Sequence, residues 1–224
     1  MSNLINLISE CVENGKVNLS SPYPPQMKDQ PGADELTRQA LDEGVSPGDI
    51  LNAALVPAMN RVGQKYAENK IFVPQMLLSA KAMSASMEHL KPFFRSGEVK
   101  RKGIVIIGTV MGDLHDIGKN LCCMMVEGAG WEVIDLGVDV KPEKFVATLD
   151  THPNAIVGLS ALLTTTMVNM GHTIVAIRQQ YPDTKVAVGG APVNNDFAKS
   201  IGANAYGKDP QELIMWLNNN QSEI

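Results

Sequence analysis

The chain of 224 residues has little cysteine and no surplus of basic residues. Its cysteines are Cys11, Cys122 and Cys123, an odd number with two adjacent, and they form no Cys-x-x-Cys pair. These facts argue against a disulfide framework and against a cysteine-ligated zinc or iron–sulfur site, and they predict buried thiols in a reducing setting. The formal net charge of -5 provides no positive excess to neutralise phosphates, so we expect no nucleic-acid partner.

Long apolar runs are also missing. No stretch approaches the ~20 apolar residues that a membrane-spanning helix needs. The N-terminal residues MSNLINLISECVENGK lack the basic and apolar segments of a signal peptide. We therefore expect a cytoplasmic protein with no membrane partner. Hydrophobic residues make up 44% of the chain and charged residues 19%, which is an ordinary globular composition.

The first half of the chain predicts an N-terminal helical bundle over residues 1–94. Helices are expected from Leu4 to Glu13, again from Asp34, after an N-cap at Ser46, and from Pro74 to Leu90. Residues 17–33 are rich in proline and polar residues and predict an irregular loop, long enough that its order would come from packing on something else. The charged segment 95–102 predicts a hinge linker to a second domain at 103–224.

The second half alternates short apolar runs with helical segments. Strands are predicted at 103–109, 131–137, 155–160, 185–190 and 203–207, and helices at 117–129, 142–149, 167–181, 193–201 and 210–218. This alternation predicts an α/β domain with a five-stranded, flavodoxin- or Rossmann-like parallel sheet. With strand order 2-1-3-4-5, a ligand is expected in the crevice at the carboxyl ends of strands one and three.

Polar and small residues are concentrated in the loops at that edge: VMGDLHDIGKN after strand one, SALLTTT after strand three and GGAPVNN after strand four. His115 could bind a metal through a neutral imidazole, and Asp113 is placed to accept a hydrogen bond from its other ring nitrogen. Gly112 and Gly118 would leave room for a ligand near the backbone. On these residues alone, His115 could equally be a residue that caps a turn.

Three motifs together favour a ligand site over a turn cap at His115. Asp113-x-His115-x-x-Gly118 is followed by Ser160-x-Leu162 and then by the Gly189-Gly190 pair. This pattern resembles the base-off, histidine-on cobalamin-binding proteins. In addition, the segment AENKIFVPQMLLSAKAMSASMEHLKPF resembles the helical cap of methionine synthase and of the small corrinoid proteins of anaerobic methyltransferase systems. The resemblance spans nearly the whole chain, apart from the loop at 17–33.

The resemblance implies a role for each matched residue. His115 would be the axial ligand to cobalt, Asp113 would hydrogen-bond its far nitrogen, and Thr166, where the family often has serine, would extend this relay. The nucleotide tail of the cofactor would run beside Ser160, Leu162, Thr164 and the Gly189-Gly190 turn. The lower face of the corrin would lie against Gly112, Leu114 and Asp116. Gly118 and Ala191 would also contact the cofactor. Phe72 would cover the upper face, although it could equally be a core residue.

The resemblance also implies a function. The cofactor would be cobalamin or a related corrinoid, which takes a methyl group on cobalt(I), is held as methylcobalamin and gives the methyl group to a second acceptor. The expected partners are a substrate:corrinoid methyltransferase, a corrinoid:pterin or corrinoid:thiol methyltransferase, and a reductive activase. Methoxyaromatics, methylamines, methanol and betaines are all possible donors. The alternatives are a cobalamin-sensing regulator, the cobalamin subunit of a mutase, and a flavodoxin-like domain without a cofactor.

Other notable residues have simpler expected roles. Three isolated histidines are expected at structural or surface positions: His89, His152 and His172. The methionines of the predicted cap helix are expected to fill its core: Met76, Met83 and Met87. Lys119 and Asn120 open a predicted helix and are expected to be solvated. Asp139, after strand two, lies at the ligand edge without an assigned role.

Overall fold

The computed structural model describes residues 2–220, so the ends of the two predicted domains, Met1 and residues 221–224, lie outside the described residues. The chain divides into two compact units. One unit comprises Met1–Arg101 with Gly128–Gly130, and the other comprises Lys102–Glu127 with Trp131–Ile224. Within residues 2–220, no helix is long and apolar enough to cross a membrane. The predicted linker at 95–102 stays a prediction.

The first unit is helical. Its elements are α1 (Ser2–Asn14), a 3₁₀ turn (Pro25–Met27), α2 (Ala33–Asp42), α3 (Pro47–Asp49), a π-helical segment (Ile50–Leu55), α4 (Val56–Ala67) and α5 (Val73–Arg95). The N-cap at Ser46 is confirmed, because its side chain accepts a hydrogen bond from the amide of Asp49. Helix α5 continues beyond the predicted end at Leu90 and includes Pro92. The core contains Ile8, Ile50, Leu55, Met76, Met83 and Leu90.

The loop between α1 and α2 is ordered by hydrogen bonds within the helical unit. The Glu35 carboxylate accepts from the amides of Leu19 and Gly32, both at 2.9 Å. Lys16 is fully buried, and its ammonium donates to the carbonyl of Ser21 at 2.8 Å. Because the ends of the segment also meet, with the Ala33 amide donating to the Lys16 carbonyl at 3.0 Å, the loop has the form of an Ω-loop.

The second unit is a parallel sheet with helices. Its strands are β1 (Ile104–Thr109), β2 (Glu132–Asp135), β3 (Ile156–Ser160), β4 (Val186–Gly189) and β5 (Ala205–Gly207). Its helices are α6 (Ile117–Gly128), α7 (Pro142–Thr151), α8 (Thr164–Gln180), α9 (Asn195–Ser200) and α10 (Pro210–Asn218). All neighbouring strands pair in parallel in the order β2-β1-β3-β4-β5. The predicted sheet and its strand order are therefore confirmed.

The centre of this sheet is buried on both faces. Val105 and Ile106 of β1 and Val157 of β3 are fully buried, as is Phe145 of α7. Packing is close enough that a Cβ on Gly108 would lie 2.8 Å from the Phe145 ring. Continuous apolar strands of this kind are typical of parallel sheets covered by helices. The carboxyl ends of β1 and β3 consequently lie side by side, with Thr109 opposite Ser160.

Helix α8 begins three residues earlier than its predicted start at Met167. It opens at Thr164 after an extended Leu163, and the amide of Thr166 bonds back to the Leu163 carbonyl. The hydrophobic periodicity that suggested Met167 does not register the first turn, because that turn is made of three threonines. The earlier start places Thr166 in the first turn of the helix, at the edge where β3 ends.

Candidate functional site

The loop that carries His115 starts where β1 ends. The amide of Val110 continues the ladder by donating to the carbonyl of Ser160 at 3.0 Å. The buried hydroxyl of Thr109 donates to the carbonyl of His115 at 2.9 Å. The loop therefore leaves the strand, turns at Gly112 and returns to the strand end before α6 begins.

Asp113 is the centre of this loop. Its carboxylate is fully buried, and each oxygen accepts two hydrogen bonds. One oxygen accepts from the amide of His115 at 3.0 Å and from the ring Nδ1 of His115 at 2.8 Å. The other accepts from the amide of Leu162 at 2.7 Å and from the hydroxyl of Thr166 at 2.6 Å. One carboxylate thus joins the loops after β1 and β3.

These contacts keep Asp113 ionised and determine which ring nitrogen of His115 carries a hydrogen. Burial alone would raise the pKa of Asp113, but the hydrogen bonds from Thr166, Leu162 and His115 outweigh it and hold the pKa well below the ordinary value. A carboxylate only accepts, so the Nδ1 of His115 must carry the shared hydrogen. In the neutral imidazole the lone pair then resides on Nε2. Because the His115 side chain is 49% exposed, this nitrogen is available to a metal.

The surroundings of His115 are not those of a metal site built from several protein side chains. Within the described part of the chain, no group of three or more histidine, cysteine or acidic residues could hold a metal ion. A lone imidazole suits a metal whose remaining ligands come mainly from a macrocycle, as in haem and corrin centres. The donor set therefore fits the axial position of a corrinoid.

Exposed apolar side chains surround the histidine. Leu114 and Ile117, on either side of it in the chain, are 72% and 71% exposed. Three further exposed apolar residues lie in the same two loops: Met111, Leu162 and Leu163. Apolar side chains concentrated beside a polar anchor are typical of ligand sites. The sequence predicted Leu114 and Leu162 as site residues but not Met111, Ile117 and Leu163. Apolar residues in otherwise polar loops could have indicated these three.

The predicted glycines have different structural reasons. A Cβ on Gly118 would meet no protein atom within 4 Å, so the packing of the protein itself does not require glycine there. A Cβ on Gly190 would lie 1.8 Å from the carbonyl oxygen of Ala161, at a φ of +126°. A Cβ on Gly189 would lie 2.9 Å from the carbonyl oxygen of Gly207. The close approach of neighbouring backbone atoms therefore requires glycine at both Gly189 and Gly190.

The other predicted residues are placed as follows. Ser160 ends β3 and is half-buried, Thr164 opens α8 and is exposed, and Ala191 is exposed beyond β4. The carboxylate of Asp116 accepts from the side chain of Asn120 at 3.0 Å. Phe72 belongs to the helical unit, where it precedes α5 and is 64% exposed. Their roles in cofactor binding stay predictions.

The structure corrects the prediction for Lys119 and gives a contact to Asp139, to which the sequence assigned no role. Lys119 is not solvated: its side chain is 1% exposed, and its ammonium donates to Asp135 at 2.5 Å and to Asn120 at 2.6 Å. Asp139 accepts a hydrogen bond from the amide of Gly112 at 2.7 Å. Both contacts link segments far apart in sequence, so the local pattern carried no signal for them.

Known proteins match both units of the chain. B12 binding domain families match residues 103–214 and residues 28–91. Trimethylamine corrinoid protein 1 of Methanosarcina acetivorans is 37% identical over 194 residues, which cover 83% of this chain and 88% of the relative. A cobalamin-binding protein from Desulfitobacterium hafniense DCB-2 superimposes with a TM-score of 0.73 at 26% identity, covering 96% of this chain and 97% of that chain.

A chain in the methanol:cobalamin methyltransferase complex of Methanosarcina barkeri superimposes with a TM-score of 0.76 at 28% identity, covering 97% of this chain and 79% of that chain. The matches thus include both units and nearly the full length. Together they confirm the resemblance drawn from the sequence, and with it a cobalt-containing corrinoid as cofactor. The chain belongs to the B12-binding family and is a small, methyl-carrying corrinoid protein of a methyltransferase system.

Proposed function

We propose that this chain carries a methyl group between two methyltransferases. A substrate-specific methyltransferase would deliver the group, and a second one, acting on a pterin or a thiol, would remove it. The observation that carries the proposal is the Asp113–His115 pair, in which a buried carboxylate fixes the ring and leaves Nε2 exposed. When bound, the corrinoid supplies a nucleophilic cobalt(I) that accepts a methyl group and later yields it.

His115 would coordinate cobalt in place of the cofactor's own benzimidazole. The carboxylate of Asp113 holds the Nδ1 hydrogen and so raises the basicity of Nε2. The donors from Leu162 and Thr166 hold that carboxylate in turn. The protein therefore sets the orientation and the donor strength of the axial ligand before the cofactor arrives.

The remaining residues would hold the body of the cofactor. Gly118, with open space beside it, and the exposed Leu114 would lie against the lower face of the ring. The nucleotide tail would pass Ser160, Leu162, Thr164, Gly189, Gly190 and Ala191. Phe72 of the helical unit would cover the upper face, and the segment 95–102 would let that cover move aside for each transfer.

The reaction partners would be separate proteins. The two described units are a helical bundle and a B12-binding sheet domain, and neither is an enzyme fold built around a methyl donor. A relative is named for trimethylamine and a structural neighbour for methanol, which supports a donor chosen by the partner enzyme rather than by this chain. A reductive activase would restore cobalt(I) after accidental oxidation.

The test is reconstitution with hydroxocobalamin, followed by the absorption spectrum of the desalted protein. We expect the wild-type chain to retain stoichiometric corrinoid with histidine coordination, and His115→Ala to lose that coordination. His152→Ala is the matched control, because His152 follows α7 at the opposite edge of the sheet. A wild-type chain that retains no corrinoid, or an unchanged spectrum in His115→Ala, would contradict the proposal.

A further inference from the structure

The loop after β2 contacts both ends of the segment that carries His115. This loop, residues 135–140, is called the brace loop below. We propose that it positions His115 for cobalt, with Asp139 as its main positioning residue. The inference rests on the proposed coordination of cobalt by His115.

The brace loop holds the start of the His115 segment through two hydrogen bonds. The Asp139 carboxylate accepts from the amide of Gly112 at 2.7 Å, and the Asp139 amide donates to the carbonyl of Asp113 at 2.9 Å. Gly112 and Asp113 are consecutive, so the two bonds clamp this dipeptide at its two ends. The carboxylate that orients the imidazole is therefore attached to a backbone fixed by Asp139.

The brace loop also holds the end of the segment. Lys119 lies in the first turn of α6, where a positive charge is unfavourable to the helix dipole. Its side chain is nevertheless almost completely buried and paired with Asp135, and burial of a charge requires such a partner. The same Asp135 accepts from the amide of Gly137 at 2.8 Å. The pair thus connects the helix that follows His115 to the start of the brace loop.

The backbone of Asp139 restricts which residues fit this position. Its φ is +52°, in the left-handed region that favours glycine, asparagine and aspartate. Of these, glycine has no side-chain acceptor for the Gly112 amide, whereas asparagine and aspartate do. Aspartate therefore adopts the left-handed backbone and also accepts the hydrogen bond from Gly112. Substitutions that keep the backbone but remove the acceptor can test the hydrogen bond alone.

The experiment compares Asp139→Gly with Asp139→Asn. Glycine keeps the left-handed backbone but removes the acceptor, whereas asparagine keeps both and removes only the charge. Each protein is labelled with ¹⁵N-histidine, loaded with hydroxocobalamin and reduced to cobalt(II). The axial nitrogen splits the electron paramagnetic resonance spectrum into doublets when it is ¹⁵N from the protein and into triplets when it is ¹⁴N from the cofactor. Hydroxocobalamin affinity and thermal unfolding of the apoprotein are measured in parallel.

We expect Asp139→Gly to keep its cooperative unfolding, lose most of the ¹⁵N doublet and bind hydroxocobalamin at least about tenfold more weakly, the usual scale for outer-shell residues of metal sites. Asp139→Asn should match the wild type within about twofold in the same affinity. Lys119→Met tests the other end without leaving a buried charge, since Asp135 is exposed enough to be solvated. Lys119→Met should also reduce the ¹⁵N doublet. If Asp139→Gly does not fold, Lys119→Met is the variant that tests whether the brace loop positions His115.

Three outcomes would overturn the inference. An undiminished doublet in Asp139→Gly, or in Lys119→Met when the former does not fold, would show that the brace loop does not position the ligand. Equal losses in the glycine and asparagine variants would show that charge, rather than the acceptor, matters. If the wild-type spectrum has no ¹⁵N doublet and His115→Ala leaves it unchanged, the proposed coordination by His115 fails, and the inference fails with it.

Discussion

Asp113 shows how much of the site depends on a single side chain. Its carboxylate is fully buried and accepts from Thr166, Leu162 and His115. A buried charge is tolerated only with such partners. The same contacts that make the charge tolerable also fix the histidine ring, so the stability of the apoprotein and the geometry of the ligand are coupled at this residue.

This coupling predicts a pH-dependent effect of Thr166. Because the folded-state pKa of Asp113 is depressed below its ordinary 3.8, its contribution to stability is present above that value and is lost as the pH falls towards the folded-state pKa. Thr166→Val removes one donor to a buried charge, so we expect the free energy of unfolding at pH 7 to fall by about 1–3 kcal/mol. The difference from wild type should shrink only at a pH low enough to protonate Asp113 in the folded variant, because the unfolded state is the same in both proteins and its pKa cancels from their comparison.

Urea unfolding of the apoprotein at pH 7 and at such a low pH measures this difference. Thr166→Ser is the control, because it keeps the hydroxyl that donates to Asp113. It should therefore resemble the wild type at both pH values. A Thr166→Val protein that is destabilised equally at both would show that lost packing, rather than the hydrogen bond to the carboxylate, is responsible.

Two glycines of the site predict opposite results. Gly118→Ala places a methyl group where no protein atom lies within 4 Å, inside the first turn of α6. Alanine in a helix is about 0.5–1 kcal/mol more favourable than glycine, so the apoprotein should unfold at a slightly higher temperature. Hydroxocobalamin should bind at least about tenfold more weakly, equivalent to 1.4 kcal/mol, because the methyl group occupies ligand space.

Gly190→Ala provides the contrast. Its methyl group would lie 1.8 Å from the Ala161 carbonyl oxygen, so we expect severe destabilisation before any cofactor is added. Thermal unfolding and hydroxocobalamin titration of both variants check the pair. Unchanged cofactor affinity in Gly118→Ala would remove Gly118 from the site.

At the scale of elements, the sequence predicted the order of helices and strands well. Short apolar runs and their alternation with helical segments located all five strands, and strand order followed from the fold class. The predicted ends of the helices were less accurate, because helix capping and the tolerance of proline depend on tertiary contacts. Helix α5, predicted to end at Leu90, continues through Pro92 to Arg95. The π-helical segment at Ile50–Leu55 leaves the hydrophobic pattern helical and so could not be predicted.

The sequence located the motif loop but not the brace loop. Asp113, His115 and Gly118 stand close together in the chain, and together with Ser160-x-Leu162 and Gly189-Gly190 they indicated a ligand site. Asp139 reaches Gly112 and Asp135 reaches Lys119 only after β2 has paired with β1. A left-handed backbone at an aspartate is likewise invisible in the sequence.

The Ω-loop between α1 and α2 is held near both of its ends by a single side chain, Glu35. Glu35 accepts the amides near both of its ends, so Glu35→Ala should release the loop while leaving the helices folded. Because each hydrogen bond to a charged group contributes about 1.5–3 kcal/mol, trypsin cleavage after the exposed Lys28 should accelerate at least tenfold.

The rate of that cleavage, followed by mass spectrometry, measures the release. Glu43→Ala is the matched control, because Glu43 caps the far end of α2 and bonds only to Gln39 among the described side chains. Equal cleavage rates in the two variants would show that the loop is held by other contacts, such as the one from Lys16.

At the scale of the whole molecule, the chain has the parts of a carrier. A helical unit and a sheet unit each match a B12 binding domain, and the sheet unit presents the half-exposed imidazole of His115 in a loop with exposed apolar residues. No proposed role of these residues includes activation of a methyl donor. The proposed division of labour between this chain and its partners can be tested directly.

We expect the purified chain to have negligible methyl transfer by itself. Loaded with methylcobalamin and mixed with a thiol, it should demethylate no faster than the free cofactor, because no bound acceptor is aligned with cobalt. Alignment by a partner enzyme provides large effective concentrations, so adding a corrinoid:thiol methyltransferase should accelerate demethylation at least about a hundredfold. The loss of the methylcobalamin absorption band measures both rates. Robust turnover by the chain alone would show that it contains a catalytic site of its own and is more than a carrier.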